Sequence, residues 1–101
     1  MNPTFNERCY AILKKVPRGR IVTYKEIAKA LHSKAYRAVG NAMNKNPYAP
    51  KVPCHRVINS DGYIGQFAKG IKAKMRMLKS EGIFIDKDNF VDLKKYMFKL
   101  K

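Results

Sequence analysis

Five consecutive residues, Pro53-Cys54-His55-Arg56-Val57, hold groups that can turn a cysteine into a nucleophile. A cysteine attacks as its thiolate, and a nearby imidazole, cation or helical N-terminus favours that form. His55 and Arg56 supply the first two. A working base also needs a third group to orient it. A glutamate from elsewhere in the fold suits that role, and spacing along the chain leaves open which one. The plain alternative is an inert loop cysteine. The lead-in, Asn46-Pro47-Tyr48-Ala49-Pro50-Lys51-Val52-Pro53, contains three prolines that restrict the backbone. A stiff lead-in suits a side chain that must be aimed.

The other cysteine, Cys9, falls on an apolar helical stripe and reads as a small core residue. Two cysteines and two histidines (His32 and His55) lack zinc-finger spacing, so neither a metal nor another cofactor is expected. A disulfide is not expected in an intracellular chain.

The elements that must position Cys54 are mostly helical. Thr4 and Glu7 form a Thr-x-x-Glu capping box for a helix over 5–16, with Phe5, Cys9, Ile12, Leu13 and Val16 on its inner face. Pro17-Arg18-Gly19-Arg20 breaks that helix, and Ile21-Val22 reads as a short strand. Thr23-Tyr24-Lys25-Glu26 is a second capping box. It opens a short helix with Tyr24, Ile27, Ala28 and Leu31 inside, and His32-Ser33 closes it. Ser33 is expected to cap a third helix over 34–44. That helix buries Ala35, Ala38, Val39 and Ala42 and turns Arg37, Asn41 and Asn44 outward. Two short helices of this kind read as a helix-turn-helix, or as a plain helical hairpin with a solvated face. Val57-Ile58 and Tyr63-Ile64 flank an Asp-Gly turn as two extended runs. A last helix over 70–80 buries Ile71, Met75 and Leu78, shows Lys72, Arg76 and Lys79, and has Gly82 as its C-cap residue. The expected fold is mainly α: one winged-helix-like helix-turn-helix domain with short β segments. The apolar tail 84–101 is expected to pack back on it as a small hairpin and a helical turn.

Charge indicates the partner. Twenty-two Lys and Arg face seven Asp and Glu, a formal net charge of +15 in 101 residues. That excess points to a polyanion, nucleic acid before anionic membrane. No apolar run approaches the ~20 residues that span a bilayer. The N-terminus also lacks the basic-then-apolar order of a secretory signal, so an intracellular protein is expected.

With these segments in view, the sequence resembles the O6-alkylguanine–DNA alkyltransferases. Pro53-Cys54-His55-Arg56-Val57 is similar to their reactive-cysteine signature. Val16-Pro17-Arg18-Gly19 and Val22-Thr23-Tyr24-Lys25-Glu26-Ile27-Ala28 resemble the approach to, and first helix of, their helix-turn-helix. Arg37-Ala38-Val39-Gly40-Asn41-Ala42-Met43 resembles their recognition helix and Asn46-Pro47 their hinge. Gly65, Gly70, Leu78 and Glu81-Gly82 keep the family's order and spacing, so the likeness covers roughly residues 4 to 83.

The resemblance implies direct reversal of DNA damage. A monomer would bind double-stranded DNA through the minor groove and flip O6-alkylguanine out of the stack. The alkyl group would then pass to Cys54 in a single-use reaction, making the protein a suicide methylated-DNA–protein-cysteine methyltransferase. His55 would take the thiol proton through a water and Glu81 would orient His55. Asn46 would brace the cysteine loop, and Tyr24 would hydrogen-bond the leaving guanine. Arg37 would fill the gap in the stack, with Tyr24, Thr23, Ala35, Asn41 and Arg56 also DNA-facing. Val57, Phe67, Ala68 and Lys69 would line the substrate pocket, backbone groups of Cys54 and Val57 reading the guanine edge. Gln66-Phe67-Ala68-Lys69-Gly70 departs from the family's usual Tyr-containing run, which leaves the alkyl preference open. The N-terminal domain of many members, with its occasional metal, is expected to be absent. Three other readings compete: an alkyltransferase-like lesion binder without transfer, a small helix-turn-helix regulator, and a cysteine hydrolase.

Overall fold

A computed structural model of the chain describes residues 4–49, 51–65, 67 and 69–100. The first helix, α1 (Phe5–Leu13), starts at the expected capping box. Thr4 Oγ1 accepts the Glu7 N–H at 3.1 Å and the Glu7 carboxylate accepts the Thr4 N–H at 2.8 Å. It ends three residues earlier than expected. Lys15 and Val16 bond back to the carbonyls of Ile12 and Leu13, a tightened last turn. Pro17 disfavours helical backbone at the residue before it, which explains the early stop. Cys9, Leu13 and Val16 are buried. Tyr10 is buried too, where the pattern expected Phe5 and Ile12, which pack only at the edge. The Tyr10 hydroxyl donates to the Ala42 carbonyl at 2.8 Å, tying α1 to the third helix.

Strand β1 (Val22–Thr23) leads straight into α2 (Tyr24–Ala30). Thr23 caps it by accepting the Glu26 N–H at 3.1 Å. The reciprocal half of the expected box is not made, and Glu26 pairs instead with Lys29. The turn after α2 passes through His32 in the left-handed region, φ 55°. His32 and Ser33 N–H groups return to the carbonyls of Lys29 and Ala28, a Schellman closure built on a non-glycine residue.

Helix α3 (Tyr36–Asn44) begins two residues later than expected. Ser33 Oγ accepts the Ala35 N–H at 3.0 Å, a local turn that competes with a first helical turn at Lys34. Ala35 is therefore exposed and outside the helix, and Met43 joins Val39 and Ala42 in the buried stripe. Arg37, Asn41 and Asn44 are exposed as expected. With α2 these elements form the helix-turn-helix.

Strand β2 (Val57–Ile58) pairs in parallel with β1, Val22 opposite Val57 and Thr23 opposite Ile58. The expected companion run, Tyr63-Ile64, is not its ladder partner: Tyr63 bridges Phe90 in the tail. Side chains alternate across a strand, and the core divides accordingly. Val22 and Val57 join the cluster beneath α1, α2 and α3. Ile21 and Ile58 join a second cluster with Ile64, Leu78, Ile83, Ile85, Val91 and Tyr96. The β pair therefore sits between two cores, and Cys54 lies three residues before its second strand.

Helix α4 (Ile71–Ser80) ends on Glu81 and Gly82. Gly82, at φ 86°, and Ile83 return N–H groups to Lys79 and Leu78, a Schellman motif at the expected glycine. Its buried residues are Leu78 and Lys74, whereas Ile71 and Met75 are only partly covered. The tail turns at 86–90 and forms a short helix α5 (Leu93–Tyr96). Ile21 and Met97 make a parallel bridge, and the Tyr96 hydroxyl accepts the Phe84 N–H at 3.0 Å. No helix among the described residues is long and apolar enough to cross a membrane.

Candidate active site

Cys54 opens a single 3-10 turn, Cys54–Arg56, between the proline-rich loop and β2. The loop is braced by one side chain. Asn46 Nδ2 donates to the Val52 carbonyl at 2.8 Å, and Asn46 Oδ1 accepts the Tyr48 N–H at 2.9 Å. The Cys54 N–H bonds the same Val52 carbonyl at 2.8 Å. Asn46 thus holds the atom that holds the cysteine backbone.

Glu81 gathers the turn from the far end of α4. Its Oε2 lies 2.7 Å from His55 Nε2. Arg56 Nε and Nη2 each approach the carboxylate at 2.9 Å, and the Gly19 N–H reaches Oε1 at 3.1 Å. Burial alone would push this carboxyl up. The Arg56 and His55 side chains and the Gly19 amide overcome it and hold the pKa at about 2. An ionised acceptor fixes the tautomer of its partner: the Nε2 of His55 carries the proton, and Nδ1 is left as the basic nitrogen. Burial is the largest influence on His55 and lowers its pKa despite the carboxylate. The imidazole is therefore neutral near pH 7, as a base must be.

Arg56 and Thr23, expected to face DNA, both make bonds within the fold. The Arg56 guanidinium is turned inward, donating also to the Val16 carbonyl at 2.9 Å. Thr23 is buried and its hydroxyl is the cap of α2. The Val57 N–H returns to the Cys54 carbonyl, and the Val57 carbonyl accepts Lys74 Nζ at 2.6 Å. Reading of a base edge by these groups must therefore use the second lone pair of each carbonyl. Tyr24 is half-buried against the same core and within electrostatic reach of Cys54; burial pushes its hydroxyl pKa up. Phe67 packs at the edge of the first core, and Lys69 is exposed. Ala68 lies outside the described residues.

Two features escaped the sequence reading. Lys74 is fully buried beside Cys54, its pKa lowered by burial to about 8. The signal was present: Lys74 sits three residues after Ile71 and four before Leu78, on the apolar stripe of α4. The second is an open cavity of about 370 Å³ lined by Tyr24, Gly40, Asn44, Asn59, Tyr63 and Gly65. It joins helices α2 and α3 to the loop after β2, and no local pattern brings those residues together. Among the described residues, no three His, Cys, Asp or Glu side chains gather where they would share a metal ion.

Comparison with known proteins follows this geometry. Residues 4–83 match the family described as 6-O-methylguanine DNA methyltransferase, DNA binding domain. The chain is 48% identical over 80 residues to a methylated-DNA–protein-cysteine methyltransferase of Thermococcus kodakarensis, covering 78% of this chain and 45% of that protein. A relative of the same name from Metallosphaera sedula is 42% identical over 82 residues, covering 81% of this chain and 51% of its own. The chain thus spans about half the length of the curated relatives it matches. Among solved structures, S. pombe Atl1 in complex with damaged DNA containing O6-carboxymethylguanine superposes with a TM-score of 0.84 at 32% identity, covering 94% of each chain. Mycobacterium tuberculosis OGT in complex with DNA gives 0.76 at 37% identity, covering 81% of this chain and 51% of that one. The match over residues 4–83, with His55 paired to Glu81 directly after Cys54 inside it, shows that the chain belongs to the O6-methylguanine–DNA methyltransferase family.

Proposed function

We propose that this chain is the reactive domain of a single-use DNA repair protein that transfers the alkyl group of O6-alkylguanine in duplex DNA to Cys54. The observation that carries the reading is the Cys54-His55-Glu81 series. An oriented, neutral imidazole follows the cysteine directly, and its other nitrogen is 2.7 Å from an ionised carboxylate.

His55 Nδ1 takes the Cys54 thiol proton, through a water. Lys74, held against the Val57 carbonyl, places a positive charge beside the thiolate. The sulfur attacks the alkyl carbon, a carbon–sulfur bond forms and the carbon–O6 bond breaks. Its electron pair stays on guanine, which gains the proton that His55 took from the thiol, directly through water or relayed by the Tyr24 hydroxyl, which gives one proton and takes one back. The thioether is stable, so each molecule reacts once.

A base in a duplex cannot reach a cysteine so placed, and extrusion from the stack is the general solution. The cavity that Tyr24 lines would receive it, Tyr24 being within electrostatic reach of Cys54. Helix α3 would face the minor groove, Arg37 entering the gap and Asn41 and Ala35 beside it. The net charge of +15 supports this partner. The protein would act as a monomer, without a cofactor, where cellular DNA is.

One observation favours a second reading. Atl1 matches this chain over 94% of both lengths, as a lesion-binding structure. An alkyltransferase-like protein would bind the lesion and leave it unaltered, but such a protein has no use for Cys54. Incubation with a duplex carrying O6-methylguanine, followed by intact mass, separates the two. Transfer adds one methyl group to the protein, and Cys54→Ala abolishes the addition. Lesion binding with no change in mass selects the second reading.

A further inference from the structure

The tail reaches the cavity from behind. The cavity wall opposite α2 and α3 is the loop from Asn59 to Gly65. That loop closes on itself through three bonds, Asn59 N–H to the Tyr63 carbonyl and Gly62 N–H to the Asn59 carbonyl, each at 3.0 Å, and Tyr63 N–H to Asp61 Oδ1 at 2.9 Å. Two further bonds, among the described residues, go beyond the family match, which ends at 83. The Val91 N–H donates to the Gly62 carbonyl at 2.9 Å and the Ile64 N–H to the Asn89 carbonyl at 3.0 Å. The Tyr63 and Phe90 rings meet edge to face with centroids 5.5 Å apart. Gly62, at φ 96°, has no room for a side chain: a Cβ there would lie 2.8 Å from the Val91 carbonyl oxygen.

We propose that the tail segment Asn89–Val91 is a positioning element for lesion recognition, holding Tyr63 and Asn59 as the wall against which the extruded base is fitted. The inference rests on the base-flipping reading above and adds a determinant to it. The three internal bonds lie within the loop and do not tie it to the cores, so without the tail the loop would shift and the cavity would lose that wall. The Tyr63 ring supplies an aromatic face and Asn59 an amide edge, a pairing suited to a purine. Phe90 is 38% exposed, so its truncation leaves both cores intact.

The test uses the full chain carrying Cys54→Ser, so that lesion complexes stay non-covalent. Affinities for an O6-methylguanine duplex and the matched undamaged duplex are measured by fluorescence anisotropy. Phe90→Ala is expected to lower the preference for the lesion by about threefold to tenfold, the scale of one aromatic pair. Affinity for undamaged DNA should move less than twofold, and Phe90→Tyr should restore the preference. Tyr63→Ala should lose it without rescue. An unchanged preference in Phe90→Ala overturns the inference, whatever Tyr63→Ala does. So does a parallel loss on both duplexes, which would mean general loosening. If the parent shows a preference but wild type never gains mass, the transfer reading falls and the tail inference stands. A parent with no preference at all removes the base pocket and the inference together.

Discussion

Replacing Glu81 with glutamine keeps the shape of the side chain and removes its charge. In the folded protein the carboxylate accepts from His55, Arg56 and the Gly19 amide, with its side chain 5% exposed. These donors hold its pKa at about 2, against 4.5 for the free group. At about 1.4 kcal/mol per pH unit, that difference corresponds to roughly 3 kcal/mol of stability carried by the ionised form. Breaking a buried ion pair from one side costs a similar amount, about 3–5 kcal/mol. The sign follows from the lowered pKa. The stabilisation is fully present above pH 4.5 and is lost as pH falls toward 2. Urea unfolding of wild type and Glu81→Gln from pH 7 to pH 2 reads this directly. The variant should be less stable by roughly 3 kcal/mol near neutrality, a drop in Tm of roughly 10–25 °C. The gap should close through the window from 4.5 to 2. Other carboxylates titrate in the same range, but they are common to both proteins and cancel in the difference. A gap that stays constant with pH, or one below about 0.5 kcal/mol near neutrality, would show that the carboxylate is not the hub described here.

Further outcomes can be measured. The rate of alkyl transfer should fall with acid along an inflection below pH 6.5, as buried His55 takes a proton, and Glu81→Gln should move that inflection lower still, because the carboxylate is what raises the His55 pKa. An inflection above 6.5 contradicts the environment described. Lys74→Met keeps the buried length of the side chain and removes its charge. Stability should change by no more than about 1 kcal/mol, since desolvation relief offsets a lost hydrogen bond. Transfer should slow by about 10- to 100-fold; a normal rate means Lys74 only fills space. Arg37→Ala should slow repair of duplex DNA far more than reaction with a free benzylguanine. Equal losses on both exclude a role in the stack.

Much of this arrangement was legible in the chain because its determinants are local. The Thr4–Glu7 box, the Gly82 closure and the Val39 and Ala42 positions of α3 are set within four or five residues, where capping and periodicity act, whereas Ala35 and Ala38, expected on the same stripe, are exposed and half-buried, respectively. The reactive cysteine was legible for the same reason, as a five-residue cluster. What local pattern misjudged was decided by competition. Ser33 bonded Ala35 and delayed α3, Pro17 shortened α1, and Val57-Ile58 found a parallel partner some thirty-five residues upstream in preference to the adjacent turn. The inward turn of Arg56 and the capping job of Thr23 are tertiary facts. Arg56 finds Glu81 because α4 ends there, so the cation read as a neighbour of the thiolate pairs with the carboxylate. Lys74 was missed because a lysine is read as surface by default, although its neighbours on the helix were apolar. The cavity could not be read at all, since it is assembled from α2, α3 and the loop after β2.

The most direct measurement is chemical. Wild-type protein is mixed with an equimolar duplex containing O6-methylguanine, digested, and its peptides are sequenced by tandem mass spectrometry while the DNA is analysed for guanine. One methyl group should appear on the sulfur of Cys54, with Cys9 unmodified in the same sample. Unmodified guanine should appear in equal amount, and a second aliquot of DNA should remain unrepaired. Methylation at Cys9, guanine released with no protein adduct, or continued repair of further DNA would each contradict single-use transfer to Cys54.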